Sequence, residues 1–251
     1  MAESSLSVTY ADLMSGVGRF LGYDSDPSKW SSEQRVEIDQ YVQAGVRQFY
    51  YPPAAQGVEV GYEWSFLNPV TEITTVADDG EQDLPEDLGR IQGNLYYENE
   101  FHLPPVRLIS EGRILSLLSE GSSSTDAPKF AATRFKAQEE GEGQRKEILW
   151  WPVPSDAWTL KYQYEAFAGR LSARNKYPLG GMKFSGVIIE SCLSIAEQRA
   201  NDERGAYWER FVLSLIAAIS QDKKNGAAYF GSMGDPVPGE FQARRPLSGS
   251  Y

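Results

Sequence analysis

The stretch from Phe184 to Asn225 constrains the fold of this chain more than any other. Val187, Ile188, Cys192 and Ile195 recur at helical spacing, as do Tyr207, Phe211, Leu215, Ile216 and Ile219. Glu190, Glu197, Glu203, Glu209 and Arg210 interrupt them as a polar face. The pattern predicts two helices in tandem, or one helix broken at Asn201 to Gly205, where Asn, Asp and Gly favour cap and turn geometry. Lys223, Lys224, Asn225 and Gly226 close the second helix, with cations against its negative dipole end. Each helix spans roughly 25 Å at 1.5 Å per residue. Burying apolar stripes of that length is favourable by about 25 cal/mol per Å², which drives them against other helices. The comparable partner, Ser31 to Tyr50, lies far away in the chain. The two ends of the chain are therefore expected to meet, and what lies between them is a long excursion from a helical base.

The N-terminal helices carry their own start signals. Thr9-Tyr-Ala-Asp12 has the form of a capping box with Asp in place of Glu, and Leu13, Val17, Phe20 and Leu21 follow at helical spacing. Gly16 and Gly18 weaken this first helix by about 1 kcal/mol each relative to Ala. Ser31-Ser-Glu-Gln34 is a second capping box, with Trp30 placed to staple it. Val36, Ile38, Tyr41, Val42, Val46 and Phe49 then form an apolar stripe, and Pro52-Pro53 stops the helix.

From Gly57 to Ala168 the period shifts to two. Tyr62 to Phe66, Val70 to Val76, Leu95 to Glu98 and Trp158 to Tyr164 alternate and are rich in aromatic or β-branched residues, as strands of an antiparallel sheet or small sandwich are. Asp78-Asp-Gly80 marks a turn, and Ser110 to Leu118 suits a short helix lying over the sheet. Glu120 to Pro128 and Gln138 to Arg145 read as protruding loops. Gly169 to Gly181 leads back to the helices; with Lys183 just beyond, its Arg170, Arg174 and Lys176 read as scattered charges on a solvated linker. The fold class is thus α+β: a helical bundle base (residues 1–56 and 169–225), an inserted β domain (57–168) and an extended tail (226–251). The tail is rich in Gly, Pro and Ser and lacks periodicity, while its Tyr229, Phe230, Phe241 and Tyr251 suit docking on a partner.

The residues offer no active-site constellation. His102 is the single histidine, at a strand or loop edge, and the single Cys192 sits on a helix stripe as a buried small hydrophobe. No spacing suits a metal or a nucleotide phosphate, so neither a metal nor another cofactor is expected. The acids Asp78, Asp79, Glu81, Asp83, Glu86 and Asp87 lack EF-hand spacing. Trp150, Trp151 and Trp158 suit core packing better than a sugar face. A net charge of −11 opposes gripping nucleic acid, although an acidic wall suits DNA that slides past without sticking. No apolar run approaches the roughly 20 residues of a bilayer span, and Met1 to Val8 lacks the marks of a secretion signal, so synthesis in the cytosol is expected.

The order of parts is itself informative. A capped helix ending in Tyr50-Tyr-Pro-Pro53 precedes a β insertion with Leu84-Pro-Glu-Asp-Leu88 and Ala127-Pro-Lys-Phe130. Next comes Trp151-Pro-Val-Pro-Ser-Asp-Ala-Trp-Thr-Leu-Lys-Tyr-Gln-Tyr164, and then paired helices ending in Ala217-Ala-Ile-Ser-Gln-Asp-Lys-Lys224. From about Asp12 to Lys224 this resembles the head-to-tail adaptor (connector) proteins of tailed double-stranded DNA phages. The resemblance implies a structural virion protein without enzymatic activity, assembled in the host cytoplasm. It further implies a homo-oligomeric ring, a dodecamer, docked between the portal protein and tail or nozzle proteins with DNA passing through its lumen. A tail-tube or nozzle subunit of the same virion and a carbohydrate-binding module are the alternatives.

Overall fold

A computed structural model describes residues 3–100, 102–119, 125–138, 140 and 143–227. The first helix, α1 (Tyr10–Phe20), begins at a reciprocal capping box in which Thr9 Oγ1 accepts the Asp12 amide and Asp12 accepts the Thr9 amide. The second, α2 (Ser32–Tyr50), begins at the same device built from Ser31 and Gln34. Trp30 does not staple it. The residue a staple would meet is Arg35, which binds backbone carbonyls instead, and the Trp30 indole is buried under Gly18 of α1. Val36 also departs from the expected stripe: it is exposed, while Ile38, Val42, Val46 and Phe49 turn inward.

The C-terminal pair is α4 (Ser185–Asn201) and α5 (Ala206–Ala227), following the short α3 (Glu111–Ser119) of the excursion. The break between them falls where the sequence places it, with Asp202 left-handed at φ 56°. Glu197, assigned by periodicity to a polar face, is buried, and its Oε2 accepts the amides of Gly205, Tyr207 and Trp208 at 3.2, 3.0 and 3.4 Å. A carboxylate there satisfies amides that the start of α5 leaves without helical partners and faces its positive dipole end.

The two ends of the chain meet where α2 crosses α4. A Cβ on Gly45 would lie 2.5 Å from Cys192 Cα, so only glycine admits this approach. Ser191 Oγ donates to the Gly45 carbonyl at 2.7 Å across a separation of 146 residues, and Gln48 donates to Ser194 Oγ at 3.3 Å. Leu13, Ile38, Val42, Phe49, Ile188, Phe211 and Leu215 are among the side chains of the resulting core.

Tyr62 to Phe66, expected as a strand, is instead a loop entering a single 3-10 turn at Ser65–Leu67. Its alternation places Trp64 and Phe66 against Phe49 and Phe184 of the helical core, with Trp64 fully buried and its Nε1 donating to the Phe49 carbonyl at 2.9 Å. That bond serves a carbonyl at the C-terminus of α2 that has no helical donor.

The excursion forms two larger sheets that share a core, and a separate two-stranded one. In one, β1 (Val70–Thr74) and β3 (Leu88–Tyr97) flank the last strand β9 (Thr159–Ala166), all antiparallel. In the other, β2 (Glu81–Asp83), β7 (Lys146–Trp151), β6 (Phe130–Phe135) and β4 (Arg107–Leu108) lie in that order. This sheet is not purely antiparallel, since β4 runs parallel to β6, and in the separate two-stranded sheet β5 (Thr125–Asp126) runs parallel to β8 (Val153–Pro154). Parallel pairing requires crossover connections, here through α3 and β5 for β4 and β6 and through β6 and β7 for β5 and β8, and strands of two residues leave no alternation to read. A positive-φ glycine, Gly93, sits where the register of β3 shifts against β9. Leu160, Tyr162 and Tyr164 of β9 face Ile148 and Trp150 of β7 across the shared core. On the other face of β7, Leu149 packs with Ala132 under Ile114 of α3, which is the expected helix over the sheet.

The helical glycines make the packing testable. Gly16 has open space where a Cβ would stand, whereas a Cβ on Gly18 would lie 2.6 Å from the Trp30 ring. Gly16→Ala is expected to raise stability by about 1 kcal/mol through helix propensity alone. Gly18→Ala should lower it by about 1–3 kcal/mol, and Gly45→Ala by that much or more, because backbone must move. Urea unfolding of the three variants measures this; a Gly45→Ala protein as stable as wild type contradicts the crossing.

Candidate functional site

The described residues place structural anchors where sequence reasoning looked for chemistry. The acids between Asp78 and Asp87 do not converge. Glu81 pairs with Arg134 at 2.9 Å, Asp83 with Lys136 at 2.6 Å and Glu86 with Arg145 at 3.7 Å, while Asp87 accepts the Tyr164 hydroxyl at 3.0 Å. Arg134 also meets Glu147 at 2.5 Å, so the charges lace β2, β7 and β6 together. Trp150 is buried and Trp151 and Trp158 are half-buried against the sheet cores, with all three indole nitrogens shielded from solvent, as suits core packing. His102 is exposed beside Glu100 at 3.4 Å. Cys192 is buried, and burial pushes its thiol up to about 12, as suits a packing residue. Among the described residues no group of three or more His, Cys, Asp or Glu is placed to hold a metal ion, and no helix is long and apolar enough to cross a membrane.

The anchors hold the base to its connections. Arg170, expected on a solvated linker, binds Asp39 of α2, which also accepts the Tyr10 hydroxyl at 2.7 Å and Gln43 Nε2 at 2.9 Å. Gln43 in turn donates to the Leu171 carbonyl at 2.9 Å and accepts the Leu171 amide at 3.1 Å. One carboxylate thus joins α1, α2 and the returning chain beside a cleft of about 370 Å³. Burial pushes the Asp39 carboxyl up, but the bonds from Gln43, Tyr10 and Arg170, with the Arg170 charge, outweigh it and hold the group below its ordinary value. Burial, then the bond to Asp39 and its charge, push Tyr10 up to about 12. At the far end of α5 the buried Asp222 accepts Ser65 Oγ at 2.5 Å, the Tyr62 hydroxyl at 2.8 Å and the Ser65 amide at 2.9 Å. Lys223 meets Glu59 beside it. The root of the C-terminal segment is therefore fixed to the loop that enters the sheets.

Tyr229, Phe230, Phe241 and Tyr251 lie outside the described residues. Sequence reasoning missed Glu197, Asp222 and Asp39 because each binds groups on another element. The one local sign was a lone acid inside or beside an apolar stripe, at Glu197 and Asp222.

Two tests follow from the anchors. Glu197→Ala removes the acceptor of three amides and is expected to cost about 1–3 kcal/mol in urea unfolding; an unchanged midpoint contradicts the cap. Asp39 has its pKa lowered in the folded state, so its contribution is complete above about pH 4 and is lost as the pH falls through the folded value. Tyr10 and Tyr50, both raised to about 12, contribute fully below about pH 10 and lose that contribution as the pH rises toward 12. The unfolding midpoint should fall on both sides of a plateau, and Asp39→Asn should shallow the acid limb; an acid limb indifferent to that change contradicts the network.

The sequence matches the family described as SU10 adaptor protein over residues 8–232, which spans the helical base and both sheets. No curated protein matches it.

Proposed function

We propose that this chain, which belongs to the SU10 adaptor protein family, joins a phage capsid to its tail as one copy of a homo-oligomeric ring beneath the portal protein. The family makes the chain a structural adaptor of a virion. The ring, its dodecameric count, its contacts with portal and with tail or nozzle proteins, and the passage of DNA are our reading beyond that. The observation that carries it is the family match across residues 8–232, because it takes in both the base and the excursion as one unit. A rigid base with a protruding sandwich supplies two separate surfaces, which suits a part that meets different partners above and below. The net charge of −11 supports a lumen that repels the phosphate backbone and lets DNA slide.

In this reading the segment 226–251, with Tyr229, Phe230, Phe241 and Tyr251, docks on the portal. Its root at Asp222 is already fixed to the body, so its removal should leave the fold standing.

Mass by light scattering, on the protein alone and mixed with portal particles, tests the proposal. Association of a ring of copies with the portal is expected for wild type, and loss of docking with an unchanged fold is expected for the chain lacking 226–251. A wild type that never associates contradicts the adaptor reading, and a truncated chain that still docks contradicts the role of the tail.

A further inference from the structure

Some glycines in and beside the helices have a reason inside the chain, while Gly16, Gly112 and Gly186 do not. Gly18 makes room for Trp30, Gly45 for Cys192 and Gly205, beside α5, for Glu197. Gly16 has none: it lies within α1, its φ is not positive, and nothing stands within 4 Å of where its Cβ would be. A glycine inside a helix destabilises it, and here no contact within the described residues offsets that.

Gly16 opens onto a groove of about 520 Å³ between α1 and α4. Ile189 and Leu193 of α4 form one wall, and Phe20 and Tyr207, in edge-to-face contact at 5.3 Å, close one end. Gly186 continues the row of Ile189 and Leu193 at helical spacing and also has no atom within 4 Å of its Cβ position. The groove is lined mainly by apolar residues, bare of a side chain at Gly16, and rimmed by Asp12 and Arg19.

The same chain carries an apolar knob on another helix. Leu213 of α5 is 70% exposed, with exposed Ala206 and Ala217 two turns before it and one turn after it. Small neighbours let a facing helix come close. The exposed Glu209 lies one turn before Leu213, and its carboxylate engages no other side chain among the described residues. Arg19, about one turn beyond Gly16, spends one nitrogen on the Ser15 carbonyl at 3.3 Å and forms no ion pair among the described residues.

We infer that Leu213 of one copy seats over Gly16 in the α1–α4 groove of the next, with the two helices antiparallel and Glu209 meeting Arg19. The orientation follows from charge. With Leu213 over Gly16, the antiparallel arrangement sets Glu209 toward Arg19 and the uncharged Ala217 toward Asp12. The parallel arrangement sets Glu209 toward Asp12, a like-charge pair. Knob and groove occupy different surfaces of the same molecule, so the contact is head-to-tail: it repeats from copy to copy and closes into a ring when the rotation allows. This assignment rests on the ring reading above and adds the surfaces that would make the ring.

Two single-cysteine additions test it, since the native Cys192 is buried. Gly16→Cys and Leu213→Cys are prepared separately as full chains, mixed, allowed to associate alone and on portal particles, and oxidised. A disulfide-linked pair is expected from the mixture and from neither variant alone. Arg19→Glu should raise the concentration needed for association about tenfold, and Glu209→Arg in the same chain should restore it. Circular dichroism of each variant checks that it is folded. Normal association without a mixed disulfide, or without rescue, overturns this contact and leaves the ring reading in place. A wild type that fails to associate under both conditions overturns the ring reading and this contact together.

Discussion

The close approach of α2 to α4 at Gly45 and Cys192 is the constraint on which the rest of the molecule depends. A helix crossing that admits no Cβ on one side brings backbone to backbone, and the Ser191 hydroxyl then reaches the Gly45 carbonyl at 2.7 Å. The crossing fixes the two ends of the chain to each other. It thereby fixes the distance between Tyr50 and Ser185, the points from which the excursion leaves and to which it returns. The Asp39 and Asp222 anchors refine that geometry by tying α1, the returning linker and the end of α5 to the same body.

Much of this was legible in the sequence where the cause is local. The caps at Thr9 and Ser31 and the break at Asn201 to Gly205 are each set by a few neighbouring residues, and the structure places them there. The meeting of the two ends was legible from area alone, because long apolar stripes must find each other. Alternation misled at Tyr62 to Phe66, because a loop that alternates aromatic and polar residues has the same period as a strand. The two-residue strands carry no period, and their partners lie across intervening elements of the chain.

The candidate sites were the least legible part. What the sequence concealed was partnership at long range. Glu197 looks like any acid on a helix until the next helix offers it three amides, and Arg170, exposed as expected, also pairs with Asp39. Glycines divide in the same way. Gly16 and Gly18 are equivalent in a helix propensity scale, yet one is filled by Trp30 and the other faces open space. A fold of this kind spends its polar groups on holding parts in register, which suits a structural adaptor of a virion.

The crossing makes the distant segments α2 and α4 one cooperative unit. Native-state hydrogen exchange, followed by mass spectrometry at increasing urea, tests it most directly. The amides of α2 around Gly45 and of α4 around Cys192 should exchange together and only through global unfolding. Exchange of α2 through an opening that leaves α4 protected would contradict it.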